Sequence, residues 1–303
     1  MEFFKANTKI RFMKQRMIAA VISLTLCIGS IVVLMINGLN LGLDFTGGTQ
    51  IEMQFNQAVQ VDQIRENLVR AGFPQVIVQA YTTTDISIQV GPHKDLTQEE
   101  LKAKVTQAVP NGNIVQINYI GPQIGKTLMT NGILAIVVAM LGTMIYIALR
   151  FEYRFALSAT ISLIHDPLLI LGIFALFHLQ FDLIVLAGVL TVIGYSLNDT
   201  VVVYDRVREN FRKVRRGTPL EIMDLSINQT LSRTIMTSGL TMLVVVALFI
   251  FGGEVVHNFA LALMIGIVVG TYSSIYVAGS LALMFGLTKS SLVPAKKMTD
   301  ELP

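Results

Sequence analysis

Asp199 lies among apolar residues in the run GYSLNDTVVVYDRVREN at Gly194–Asn210. The surrounding stretch, Leu183–Tyr204, is long enough to cross a bilayer, since about 20 apolar residues at a 1.5 Å rise span the hydrocarbon. A carboxylate at that depth costs about 2.5–3.5 kcal/mol on insertion scales and marks a position of function. The chemistry open to it is proton or ion handling. Burial disfavours its charge and a nearby cation favours it, so a carboxylate held between the two can take up and release a proton. Asn198 precedes it in the same span, and about 9 Å of helix separate Asp199 from Asp205 at the basic end. The same carboxylate would also serve as half of a static ion pair that fixes helix packing.

Arg233 is the cation within the chain best placed to answer Asp199. It opens the next apolar stretch at a similar level, if that helix starts around Asn228. Its long side chain could equally snorkel to the interface. His165–Asp166–Pro167 occupies the middle of another apolar stretch. Asp166 is a second candidate proton site with His165 as neighbour, although either could simply bond across helices to a polar side chain. Pro167 removes a backbone donor and can kink that helix.

These residues need a membrane scaffold, and the composition supplies one. The chain is 53% hydrophobic and 14% charged, more apolar than ordinary soluble domains. Six segments meet the length of a spanning helix: Met17–Ile36, Leu128–Leu149, Phe155–Phe177, Leu183–Tyr204, Thr234–Gly252 and Phe259–Leu287. Lys5, Lys9, Arg11, Lys14 and Arg16 precede the first, but its core is too long for a signal peptide and no cleavage site follows, so it reads as an uncleaved anchor. Arg150, Arg154, Arg206, Arg208, Arg212, Lys213, Arg215, Arg216, Lys289, Lys296 and Lys297 all fall at alternate ends, whereas His178–Asp182 and Gly253–Asn258 carry no Lys or Arg. Basic loops stay cytoplasmic. Both termini (residues 1–16 and 288–303) are therefore expected in the cytoplasm and the long segment 38–125 outside it. Cys27 is the single cysteine, which excludes an intrachain disulfide, and no Cys/His cluster has metal-ligand spacing.

The exported segment reads as a soluble domain. Strands are expected at Thr49–Asn56, Gln75–Tyr81, Asp85–Val90 and Asn113–Tyr119. Asp62 is placed to cap a helix through about Ala71, and Thr97–Glu100 forms a capping box for a second helix ending near Pro110. The order β-α-β-β-α-β is that of a ferredoxin-like split βαβ unit. The expected fold is thus a polytopic α-helical membrane protein with six transmembrane helices plus one α+β ferredoxin-like extracytoplasmic domain. No nucleophile–base pair is evident, so binding or mechanical movement is a better expectation than catalysis; a spacer that pairs with another subunit is the plainer alternative.

Gly121–Thr127, GPQIGKT, invites a phosphate-loop reading, but it has three residues between its glycines where the Walker pattern has four. It reads instead as a turn or hinge at the membrane surface. Thr218–Glu221 is a capping box with Pro219 at the first helical position, opening an amphipathic helix expected to lie along the cytoplasmic surface within 205–232. Gly266 and Gly270 form a small-xxx-small step, joined by Ser273, Ser274, Gly279 and Ser280, for close helix approach.

Three motifs together resemble the SecF family of the bacterial SecDF complex: LGLDFTGGTQIE at Leu41–Glu52, YIGPQIG at Tyr119–Gly125 and GYSLNDTVVVYDRVRENFRKVRRGTP at Gly194–Pro219. The resemblance covers nearly the whole chain. It implies a bacterial inner-membrane subunit that pairs with SecD in a twelve-span unit similar to resistance-nodulation-division transporters. It further implies that this unit draws on the proton gradient to assist preproteins through the SecYEG channel, with YajC as a further partner. By position in the matched motif, the family's relay carboxylate falls on Asp199 and its relay arginine on Arg233. Gly42, Asp44, Phe45, Gly47 and Gly48 belong to the first motif, and Gly121, Pro122 and Gly125 to the second; both are read as connections through which the exported domain moves. The resemblance assigns nothing to His165 or Asp166. It implies no cofactor, no metal and no nucleic acid. A small-molecule exporter half and a purely structural assembly subunit are the competing classes.

Overall fold

A computed structural model describes residues 9–74, 76–80, 82–92, 96–214 and 216–287. The expected cytoplasmic residues 1–8 and tail 288–303, with Lys5, Lys289, Lys296 and Lys297, lie outside the described residues, as do Arg215 and both ends of the expected strand, Gln75 and Tyr81.

Six helices are long and apolar enough to cross a membrane: Phe12–Asn37, Pro122–Arg150, Tyr153–Leu176, Leu183–Lys213, Pro219–Phe251 and Val255–Met284. A 3₁₀ turn, Phe12–Gln15, leads into α1 (Arg16–Asn37). Then come β1 (Asn40–Leu41), the short α2 (Leu43–Thr46), β2 (Gly48–Phe55), α3 (Val61–Arg70), β3 (Ile77–Ala80), β4 (Asp85–Val90), α4 (Gln98–Ala108) and β5 (Gly112–Ile120). The remaining elements are α5 (Pro122–Arg150), α6 (Tyr153–Leu176), β6 (Gln180–Phe181), α7 (Leu183–Lys213), α8 (Pro219–Phe251), α9 (Glu254–Tyr272), a π-helical turn at Ser273–Ala278, and α10 (Gly279–Met284). Pro167 lies inside α6, which continues through it.

The sheet runs β3-β4-β2-β5 with every neighbouring pair antiparallel. Period-2 alternation along β2 buries Ile51, Met53 and Phe55 against Ile64 and Leu68 of α3 and Leu101 and Val105 of α4. That burial is what makes β2 a strand with one wet face. The capping box at Thr97 and Glu100 opens α4. Asp62 does not cap α3: Gln60 holds that position without a side-chain bond, and Asp62 lies in the first turn, 3.7 Å from Arg65.

Within the helical bundle, α6, α7 and α9 bury half or more of their most apolar windows, while α1, α5 and α8 face mostly outward. The small-residue step on α9 closes against α7: a Cβ on Gly266 would overlap Val192, and one on Gly270 would lie 3.1 Å from Ser196 Cβ. Tyr204, fully buried on α7, donates to Ala278 O (3.1 Å) and pairs with Ser158 Oγ (2.7 Å). It thereby supplies a donor to a carbonyl in the π turn.

The expectation of a separate surface helix within 205–232 is corrected by the structure. The fourth span continues to Lys213 and the fifth begins at Pro219, so one unbroken 33-residue helix replaces the pair. The capping box at Thr218 and Glu221 stands. The polar residues of its first turns are used inward: Asp224 Oδ1 accepts from Met13 N (2.8 Å), Asn228 Oδ1 accepts from Ile10 N (3.0 Å) and Asn210 Nδ2 donates to Ser226 Oγ (2.8 Å). Those partners hold the helix on the bundle instead of leaving its polar face for the lipid surface.

Candidate functional site

Asp199 points into the bundle and is 3% exposed. Its Oδ2 accepts from Ser238 Oγ on α8 at 3.4 Å. Ser238 also meets Thr271 Oγ1 on α9 (3.0 Å) and Tyr195 OH on α7 (3.2 Å). Among the described residues the buried carboxylate is therefore tied weakly to α8, and through Ser238 to α9 and back to its own helix, by hydroxyls and not by a cation. Arg233 is near enough for its charge to act on Asp199. Even so, among the described residues no ion pair within 4.0 Å involves Asp199. Arg233 is exposed on α8, and Asn198 is exposed on α7. Successive helical residues point about 100° apart, so Asp199 and Asn198 cannot both face inward.

Asp166 and His165 form a second polar centre. Asp166 is wholly buried; Ser196 of α7 and Ser273 of the π turn (2.9 Å) donate to its Oδ2, and His165 Nδ1 lies 2.9 Å from its Oδ1. The sequence had marked Ser273 only as a small packing residue, and Ser196 and Ser238 not at all. Their signal was available: each is a hydroxyl in an apolar span, and Ser196 lies one helical turn before Asp199.

The two glycine motifs meet each other. Gly47 (φ +74°) and Gly48 (φ +136°) occupy conformations that L side chains rarely adopt. A Cβ on Gly47 would lie 2.8 Å from Pro122 Cα, and one on Gly125 2.9 Å from Gly47 N and Phe45 O. Gly121 caps α5, with Pro122 at its first position. The segments read as a hinge and as connections to the exported domain meet backbone to backbone. Phe45 stacks on Phe181 (6.0 Å between rings), Gly42 N donates to Phe181 O (2.8 Å), and Asp44 Oδ2 accepts from Leu183 N (3.1 Å). Asp182 Oδ1 accepts from Val185 N (2.8 Å), so two carboxylates cap the start of α7. Burial, with the Asp44 charge adding to it, holds the Asp182 carboxyl above the usual range, against the pull of the Val185 amide. β1 pairs in parallel with β6, and Gln180 Nε2 donates to Gln89 Oε1 (3.0 Å), which fastens the sheet to the helix that carries Asp199.

Among the described residues no group of three or more His, Cys, Asp and Glu is placed to hold a metal. What remains is a multi-spanning helical membrane protein with carboxylates buried in its bundle and a sheet domain locked onto one end.

The comparisons with known proteins define the class. Residues 100–288 match the family model described as protein export membrane protein SecD/SecF, C-terminal, and residues 32–59 match the SecD/SecF GG motif. The chain therefore belongs to the SecD/SecF family of protein-export membrane proteins, on its SecF side, and acts as an accessory subunit in protein translocation. It is 44% identical to the protein translocase subunit SecF of Vibrio alginolyticus over 97% of this chain and 95% of that protein. Against the SecF subunit of Escherichia coli O157:H7 the identity is 42%, over 91% and 87%. The crystal structure of SecDF, a translocon-associated membrane protein of Thermus thermophilus, superposes with a TM-score of 0.85 at 33% identity, covering 93% of this chain. The match takes in 39% of the SecDF chain. This is a family of translocase subunits and not of enzymes.

Proposed function

We propose that the chain pairs with SecD to form a twelve-span unit that uses the proton gradient to promote preprotein export through SecYEG, with protonation of Asp199 as the driving step. The carrying observation is that Asp199 is buried with no bonded cation among the described residues while Asn198 and Arg233, its expected relay partners, face outward. Outward relay residues make sense at a subunit boundary. Ile184, Ala187, Thr191, Gly194 and Asn198 recur at alternating spacings of three and four along α7 and are all exposed, although the rest of this helix is largely buried. Such a stripe suits close approach by another helix, and SecD is the partner we assign to it. Arg233 would then swing between the boundary and Asp199 as the carboxylate gains and loses its proton.

One charge crossing 100 mV is worth about 2.3 kcal/mol, enough to bias a two-state rearrangement by a useful amount. The junction of Gly47, Gly125 and the α7 caps would carry that rearrangement to the sheet domain. We read the domain as ferredoxin-like and periplasmic, both termini as cytoplasmic, and the membrane as the bacterial inner membrane. The strand order β3-β4-β2-β5 supports the first reading. The basic helix ends support the second: Arg150 at the end of α5 meets Asp205 at 2.6 Å, and Arg154 donates to Phe285 O (3.1 Å), gathering these residues at one end of the bundle. The preprotein and YajC belong to the same set of partners.

The test is Asp199→Asn in the complete complex. The variant should co-purify with SecD at the wild-type ratio and lose the gradient-dependent part of preprotein export. Normal export by that variant would refute the reading, and solute transport by this chain without SecD would favour an exporter half instead.

A further inference from the structure

The segment that leads into α1 is pinned to α8 more firmly than a membrane anchor requires. Asn228 bonds both backbone groups of Ile10, accepting from its N–H (3.0 Å) and donating to its carbonyl (2.8 Å), and Asp224 Oδ1 accepts from Met13 N (2.8 Å). Phe12 and Met13 are buried, whereas Lys9, Arg11 and Lys14 are exposed and Arg16 is half-buried. Between this strap and the start of α8 lies an open cleft of about 980 Å³, lined by all four basic residues. Met17, Leu220 and Leu225 are part of its apolar lining.

The cleft sits at head-group depth. With 22 residues α1 is about 33 Å long, little more than the hydrocarbon, so Arg16 at its first position marks the boundary. With 33 residues α8 is about 50 Å long, and its uncharged stretch Thr234–Phe251 takes up about 27 Å of that. The first turns of α8, which line the cleft, therefore stand beyond the acyl chains.

Two carboxylates also line the cleft, and each already serves a backbone amide. Glu221 Oε2 accepts from Thr218 N (2.9 Å) in its capping box, and Asp224 is held by Met13 N, although Arg11 is near enough for its charge to act on it. Among the described residues none of Lys9, Arg11, Lys14 and Arg16 has an ion-pair partner within 4.0 Å. Guanidinium and ammonium groups form charge-assisted bonds to phosphate oxygens. Four such cations beside apolar side chains at the membrane surface suit a phosphodiester that carries hydrocarbon tails. We propose that this cleft binds the head group of an anionic phospholipid, whose acyl chains run along the exposed Met17, Val21 and Leu24 of α1. Basic charge placed only for topology would draw anionic lipid diffusely; the pinned strap makes it a site.

The chain has no tryptophan, so Val21→Trp gives a single reporter, and Ile145→Trp, exposed at the same distance from Arg150 as Val21 is from Arg16, is its control. The test reconstitutes the full-length chain in phosphatidylcholine vesicles and compares quenching by nitroxide-labelled phosphatidylglycerol with quenching by equally labelled phosphatidylcholine. At position 21 the anionic lipid should be favoured at least about threefold, and less so at high salt. At position 145 the two lipids should quench alike. Lys14→Gln with Arg16→Gln should abolish the preference, whereas Arg208→Gln with Arg212→Gln should leave it unchanged. Asn228→Leu frees the strap while keeping every charge, and should lower the preference toward the control value. A preference equal at both reporters, or unmoved by Asn228→Leu, would overturn the proposal. So would its loss to inorganic phosphate at constant ionic strength, which marks a site for a soluble anion, or to SecD in the same vesicles, which marks a subunit contact.

Discussion

Gly125→Ala tests whether the glycine motifs are a packed junction or a flexible hinge. The new Cβ would sit 2.9 Å from Gly47 N and from Phe45 O, and 3.1 Å from Phe45 C. Non-bonded heavy atoms prefer about 3.5 Å or more, so the backbone of one element must give by roughly half an ångström. Overpacking of this kind costs about 1–3 kcal/mol. The helix gains up to about 1 kcal/mol when Ala replaces Gly. The net expectation is a destabilisation of about 1–2 kcal/mol. Gly142 lies on the same helix with nothing within 4 Å of its Cβ position, so Gly142→Ala should be neutral or stabilising by up to about 1 kcal/mol. Gly47→Ala adds the strain of a backbone region open essentially only to glycine (φ 74°, ψ 170°), about 1–3 kcal/mol, to contact with Pro122. Because Gly47 and Gly125 press on one another, the double variant should cost less than the two singles together, by at least about 0.5 kcal/mol. The assay is detergent-mediated unfolding of the full chain followed by circular dichroism. Equal tolerance of Ala at 125 and 142, with additive behaviour at 47 and 125, would refute the packed-junction reasoning.

Thr97→Ala removes the cap of α4 and should cost the sheet domain about 1 kcal/mol, measured by local hydrogen exchange. The Thr97 amide and hydroxyl hold Glu100 below the usual carboxylate range; its contribution is present at neutral pH and lost as pH falls through and below that range, and Thr97→Ala, which removes the hydroxyl and keeps the amide, should weaken this dependence without abolishing it. Asp182 has the opposite sign. Its raised carboxyl binds a proton more readily in the folded chain, so stability declines as pH rises upward from the ordinary Asp range, and Asp182→Asn, which keeps a capping side chain, should abolish that slope in unfolding measured against pH. The Arg150–Asp205 bridge is short but more than two-fifths exposed on both sides; a double-mutant cycle should give less than about 1 kcal/mol, falling further in high salt.

The six spans were legible because bilayer thickness imposes a length and a composition that few other structures share. The elements of the sheet domain were legible for a local reason: alternation along Thr49–Phe55 and the Thr97–Glu100 box encode a strand and a helix start within a few residues. The fusion of the expected surface helix with the fifth span was not, because Asp224 and Asn228 look solvent-facing until Met13 and Ile10, more than 200 residues away, are placed against them. Depth along a helix is readable from sequence, whereas rotation about its axis needs partners. Hence the sequence could set Asp199 and Arg233 at a similar level, but not show that Arg233 and Asn198 face outward. The hydroxyls at Ser196, Ser238 and Thr271 escaped for the same reason: in an apolar span a serine that serves a carboxylate is written like one that merely permits close packing.

The central claim is that a proton on Asp199 couples the gradient to export. Preprotein export should be measured in vesicles holding this chain with SecD and SecYEG, at fixed ATP, over a series of imposed pH gradients. Wild-type export should rise with the gradient and the Asp199→Asn complex should show no response to it, with the two converging when the gradient is zero. An equal rise in both would contradict the account.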